Sequence, residues 1–214
     1  MIEIITMPDE AKSFARVLEC MELRQAAVTN RRFRIGHASP SDWRLTEIDR
    51  TNSIHLISST PQGICGYVRL VRVDADERSG PHDQLVQKIA TASGRRPALE
   101  MQWMNVDARD FEDTYEQSHP DVLLVREMVI EALRVAQRSD CKHLVTQVDT
   151  SGSRLLQKAG LRHSAISLPI HENQHATTFV AAPVSSQTMR GISPLKIVHT
   201  NPARKSQSSQ LSPA

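Results

Sequence analysis

Gly-Ile-Cys-Gly-Tyr-Val-Arg-Leu-Val-Arg-Val (Gly63–Val73) and Ala-Leu-Glu-Met-Gln-Trp-Met-Asn-Val-Asp (98–107) are the two runs whose reading decides the fold. Both are rich in β-branched, aromatic and long apolar residues and read as strands. Arg69 sits inside the first and Glu100 inside the second. A charge buried alone in a sheet costs several kcal/mol. Such residues either face water or face a site that uses them, and we assign these two to a site.

Outward from this pair, residues 53–58 (Ser-Ile-His-Leu-Ile-Ser) form a hairpin partner for the first strand across Thr60-Pro61-Gln62-Gly63. Further upstream, 2–6 is a short strand, and a helix opens at Asp9 with Phe14, Val17, Leu18, Met21 and Val28 as its apolar face. Arg24 falls near the end of that helix, beside the stripe. Between 30 and 52 the periodicity is lost. A long irregular segment in a compact domain is usually functional or disordered, and Phe33 and Trp43 argue for order.

Downstream, 81–96 predicts a short amphipathic helix. Ser118-His119-Pro120-Asp121 starts another, with Ser118 as N-cap, running to about Arg138. A strand at 142–149, a helix at 151–159 closed by Gly160, and strands at 164–169 and 177–182 complete the pattern. A helix between neighbouring strands predicts a parallel pair inside a mixed α/β sheet. Ser, Gln, Pro and Asn dominate beyond Val184. The expected organisation is one domain over 1–184 and a disordered basic tail over 185–214.

Composition narrows the class. The 214 residues, 39% apolar and 23% charged, suit one globular domain able to bury a sizeable core. No run approaches the ~18 apolar residues of a membrane span, so no membrane partner is expected. The first residues lack the basic and apolar blocks of a secretory signal. Cys20, Cys65 and Cys141 have no metal spacing, which predicts reduced thiols and a cytoplasmic location. The net charge of +2 hides an acidic body, because the last thirty residues hold four basic residues and no acid. Clustered Lys and Arg on the folded part are lacking, so no nucleic-acid partner is expected. Nine histidines include no HExxH and no Cys-His cluster, so no metal is expected.

The chain resembles the acyl-homoserine-lactone synthases, whose fold is similar to that of the GNAT acyltransferases. Four features carry the resemblance, which spans about 2–180: Leu23-Arg24 at the end of the first helix, Asp49 ahead of a strand, Gly66-Tyr67-Val68-Arg69-Leu70, and Glu100 with Val106-Asp107. The block from Cys141 to Leu161 also looks like the family's end. Trp103 stands where the family has an arginine, Val28 where it has an aromatic, and Arg34 where it has a tryptophan. The Arg/Gln-x-x-Gly-x-Gly/Ala loop with which ordinary GNAT enzymes cradle a pyrophosphate is lacking, as it is in the autoinducer synthases.

The resemblance implies a GNAT-like mixed central sheet with helices on both faces. It also implies acyl transfer from acyl carrier protein or acyl-CoA to the amine of S-adenosylmethionine, then lactonisation releasing methylthioadenosine. Both molecules are substrates, and no cofactor is expected. Glu100 is the candidate base, acting through a water. Arg69 would hold a carboxylate or pair with an acid, Asp49 would bind the ammonium end of the substrate or cap a turn, and Arg24 would order the 30–52 loop by pairing with an acid there. Phe33 and Trp43 would stack on adenine or close the pocket, and Trp103 would lie at the substrate. Met104 and Met128 would line the acyl chain's space between the 120–138 helix and the central strands. The competing readings are another GNAT-like N-acyltransferase with a different amine acceptor, and a homologue that binds without turnover.

Overall fold

Gly63 takes φ 128°, a backbone region that side chains with a Cβ avoid, and a two-residue turn just before it folds Ile54–Thr60 back on Gly63–Val73 as an antiparallel hairpin. The computed structural model describes residues 1–8, 11–29, 34–35, 49, 53–73, 97–106, 119–172 and 175–192. Its elements in chain order are β1 (Ile2–Thr6), α1 (Ala11–Thr29), β2 (Arg34–Ile35), β3 (Ile54–Thr60), β4 (Gly63–Val73), β5 (Ala98–Val106), α2 (Pro120–Arg138), β6 (His143–Val148), α3 (Thr150–Lys158), β7 (Ser164–Ala165), β8 (Ile170–Glu172), β9 (His175–Pro183) and α4 (Ser186–Ile192). The helix expected at 81–96 lies outside the described residues.

The strands form one mixed sheet in the order β1-β3-β4-β5-β6-β9-β7, with β2 beside β5 and β8 beside β9. Among the described strands all pairs are antiparallel except one: β5 runs parallel to β6, as the intervening α2 requires. Helices cover both faces. Val17 and Cys20 of α1 pack on Ile57 and Tyr67. On the opposite face Val125, Met128, Val129 and Leu133 of α2, with Leu155 and Leu156 of α3, cover Leu56, Val68, Leu70, Leu99, Met101 and Met104. Met104 and Met128 are therefore core residues between α2 and the sheet.

Three expectations are corrected in detail. Leu18 is 45% exposed, because the face of α1 turned to the sheet centres on Val17, Cys20 and Arg24 instead. His119, not Ser118, is the N-cap of α2, its Nδ1 accepting from Asp121 N–H at 3.3 Å. The expected tail does not start at Ser185: Ser186–Ile192 is helical, with Ser185 Oγ accepting from Thr188 N–H at 3.1 Å. Ile192 is buried against the α2–α3 layer, beside Gly160. Ile192, with Met189 packed against the same core, anchors a segment whose composition reads as unstructured. The rest of the expected tail, 193–214, lies outside the described residues.

Gly66 marks the closest approach of β4 to α2. A Cβ built there would lie 2.7 Å from Met128 Sδ and 3.4 Å from Leu124 Cδ2. Replacing Gly66 by Ala should destabilise the protein by about 1–2 kcal/mol through overpacking. Adding Met128→Ala should recover less than the cavity costs unless the new methyl fills it, so urea unfolding of the single and double variants measures the coupling.

Candidate active site

Alternation along β3, β4 and β5 sends His55, Tyr67, Arg69, Glu100 and Gln102 to the α1 face of the sheet, opposite Leu56, Val68, Leu70, Leu99 and Met101. His55 pairs with Arg69, and Arg69 with Gln102, so three polar side chains form one row across three strands. Glu100 stands two residues before Gln102. Arg24 from α1 and Asp49 from the preceding segment close over this row.

Asp49 is fully buried and lies between two guanidinium groups. Arg24 donates through Nη1 to Oδ2 at 3.2 Å and through Nη2 to Oδ1, while Arg69 Nη1 donates to Oδ1 at 2.9 Å. Arg24 Nη2 also donates to the Tyr67 hydroxyl, and its guanidinium carbon lies 4.9 Å from the centroid of that ring. His55 Nε2 lies 3.1 Å from the Asp49 backbone oxygen, which can only accept. This assigns the proton to Nε2 and leaves Nδ1 to accept from the Tyr67 hydroxyl at 2.8 Å. Ser53 Oγ donates to the same Asp49 oxygen at 3.2 Å and sits 2.7 Å from His55 Nε2. The donors run Arg24 to Tyr67, Tyr67 to His55, and His55 back to Asp49.

Electrostatics suit that direction. Burial pushes the His55 pKa down to about 4, so the ring is neutral near pH 7 and can accept the phenol proton. Burial also raises the Tyr67 pKa, keeping the hydroxyl protonated. At Arg24 burial opposes the charge, but Tyr67 and Asp49 outweigh it and the pKa is raised. The cluster reaches Glu100 through one amide: Arg69 Nη2 donates to Gln102 Oε1 at 2.6 Å, and Gln102 Nε2 donates to Glu100 Oε2 at 2.8 Å.

Glu100 stands where the sheet opens. The β5–β6 ladder consists of Leu99↔Leu144 and Glu100↔Val145. Beyond it, β2 takes over the same edge of β5, pairing Ile35 with Met104 and Arg34 with Asn105. It must lie on the β6 side, because β4 holds the other edge at Asn105. The two parallel strands therefore fork just past Glu100. Thr146 Oγ1 donates to the Met101 carbonyl at 2.7 Å and satisfies an oxygen that the parting ladder would leave without a partner. Glu100 is 4% exposed, a carboxylate at the head of a fork.

The structure thus brings together four expected site residues: Arg24, Asp49, Arg69 and Glu100. Asp49 does not present a carboxylate to a substrate ammonium, since it is shielded from solvent and both its oxygens serve guanidinium groups; it orders Arg24 and Arg69. Phe33 and Trp43 lie outside the described residues. Trp103 lies in β5, and its side chain is outside the described set. Sequence reading missed Ser53, His55, Tyr67 and Gln102. The available signal was alternation: Tyr67-x-Arg69 and Glu100-x-Gln102 place their polar members on one face. Among the described residues no group of His, Cys, Asp and Glu converges to hold a metal, and no helix is long and apolar enough to cross a membrane.

Two outcomes test the cluster. Asp49→Asn leaves two guanidinium groups without their carboxylate and should cost about 3–5 kcal/mol in chemical denaturation. His55 binds a proton more weakly folded than unfolded, so stability should fall as pH drops from about 6.5 toward 4 and level off below that. The loss from this one group is about 3 kcal/mol at 1.36 kcal/mol per pH unit. Urea unfolding at pH 7 and pH 4 should show a smaller difference in His55→Gln than in the unsubstituted chain.

Comparison with known proteins agrees with this geometry at the level of fold. No family model matches the sequence, and no curated protein matches it. Solved structures do match. The acyl-homoserine-lactone synthase LasI superposes with a TM-score of 0.63 at 12% identity, covering 90% of this chain and 94% of that one. BjaI, a CoA-dependent acyl-homoserine-lactone synthase solved with SAM and isopentyl-CoA, gives 0.62 at 16% identity, covering 90% and 87%. FeeM, an N-acyl amino acid synthase from uncultured soil microbes, gives 0.56 at 11% identity, covering 86% and 95%. The chain has the GNAT-like α/β fold of the acyl-homoserine-lactone synthases.

Proposed function

We propose that this protein is an acyltransferase that synthesises acyl-homoserine lactones. The observation that carries the reading is the position of Glu100: a buried carboxylate at the head of the β5–β6 fork, tied through Gln102 to Arg69, in the fold that the synthases share. In this reading the α-amine of S-adenosylmethionine attacks the carbonyl carbon of an acyl thioester carried by coenzyme A or acyl carrier protein. The C–N bond forms, the C–S bond of the thioester breaks, and the thiolate takes up a proton. Glu100, through a water, receives the proton that leaves the ammonium. The substrate carboxylate then attacks its own Cγ, closing the lactone and expelling methylthioadenosine. Arg69, already fixed by Asp49 and Gln102, supplies positive charge beside the amino-acid part of the substrate. The substrates are cytoplasmic metabolites, and no further cofactor is required.

A second reading follows from Trp103, which occupies the place of the family's arginine and offers a single N–H and no charge. Acyl transfer to another amine, without lactonisation, needs fewer charges around the acceptor. The purified chain incubated with S-adenosylmethionine and acyl-CoA or acyl carrier protein separates the readings by mass spectrometry. The first predicts equimolar acyl lactone and methylthioadenosine. An acylated amine without methylthioadenosine supports the second, and binding without either product supports a silent homologue. Under the first, Glu100→Gln should lower the rate by at least about a hundredfold with an unchanged melting temperature. Undiminished product from that variant removes Glu100 from the role of base.

A further inference from the structure

Gln147 lies on β6, two residues past the last β5–β6 pair. It shares the sheet face of Val145, which packs with Ala98 and Phe179, whereas Leu144 and Val148 belong to the core beneath α2. Glu100 pairs with Val145, and Gln102 and Gln147 are each two residues further along. The two amides thus stand on opposite lips of the fork, on the same face. Gln102 spends its amide on Arg69 and Glu100.

Gln147 is only half-used. Its Nε2 donates to Thr177 Oγ1 at 2.6 Å, and Thr177 Oγ1 donates to the Ile170 carbonyl at 3.4 Å. That order of donors fixes the amide orientation. The residue is 2% exposed, and among the described residues its Oε1 has no hydrogen-bond donor. Native interiors rarely leave such an acceptor unmet, and among the described residues this one is open to a donor that a ligand brings.

We propose that Gln147 is a specificity-determining residue whose side-chain carbonyl accepts a hydrogen bond from an N–H of the amino-acid acceptor held in the fork. The inference rests on the reading that the fork receives an amine. Gln147 then reads the acceptor from the β6 lip while Glu100 and Gln102 hold the β5 lip. A cationic amine is the fitting donor, since hydrogen bonds to charged groups are the stronger ones.

Calorimetric binding to the purified full chain tests this, with S-adenosylmethionine and methylthioadenosine as probes. The two share the adenosine part and differ in the amino-acid part. Gln147→Met keeps the volume and removes the acceptor. It should weaken S-adenosylmethionine about tenfold or more, leave methylthioadenosine unchanged, and leave the melting temperature unchanged or higher, because a buried acceptor without a donor is gone. Gln147→Asn, which withdraws the carbonyl by one methylene, should give a several-fold loss for the same probe alone. Equal loss for both probes, or undiminished S-adenosylmethionine affinity in both variants, overturns the inference. A lower melting temperature with unaltered affinity assigns Gln147 a structural role through a buried water and also overturns it. If the unsubstituted chain binds methylthioadenosine but not S-adenosylmethionine, the proposed function itself fails, and this inference with it.

Discussion

A carboxylate removed from water must be held by charge, and here Asp49 is held by Arg24 and Arg69. A buried ion pair is weak as a source of net stability, since its desolvation offsets much of its attraction. Its value lies in geometry: this placement of α1, β4 and Asp49 brings three buried charges together with their hydrogen bonds made. The neutral ring of His55 and the phenol of Tyr67 extend the constraint by closing a loop of donors back to the Asp49 main chain. A row of side chains anchored at one end in this manner presents its other end, Gln102 and Glu100, in a single arrangement. Preorganisation of this kind is what proton transfer in a closed site requires.

The fork gives the anchored row a break in the sheet at its far end. A parallel ladder buried on both faces has no room for a ligand between its strands. After two pairs this ladder gives way, β2 fills the β5 edge, and Thr146 satisfies the Met101 carbonyl across the gap. The carboxylate stands at the last intact pair, where the rigid part of the sheet meets its divided part. A change of strand partner beside a buried carboxylate sets the rigid ladder against a segment held by fewer pairs.

Much of this was legible in the sequence. The strand and helix order follows from period, the parallel pair follows from the helix between two strands, and Arg69 and Glu100 stand out because charge is rare inside apolar strands. Arg24 was harder to read, for a basic residue near a helix end is ordinarily solvated, and only the distant Asp49 shows that it turns inward. His55, Tyr67 and Gln102 are polar or amphipathic residues common in strands, and their role depends on cross-strand register, which one strand's sequence does not encode. The fork is invisible for the same reason: it is a property of pairing between segments. The helix at Ser186–Ile192 was hidden by composition, since one buried isoleucine on a docked surface outweighs a polar background.

Between Tyr67 and Arg69 the facing stretch of β5 has one residue more than β4, Asn105 pairing with Tyr67 and Gln102 with Arg69. That extra residue reverses the alternation, so Gln102 faces the polar row while Met104 faces α2. The strand is in effect written in two frames that meet at Trp103. Because Gln102 and Met104 already face opposite ways, deleting the residue between them would leave both faces as they are and only straighten the ladder, whereas a second insertion would have to widen the bulge or turn one half of β5 over.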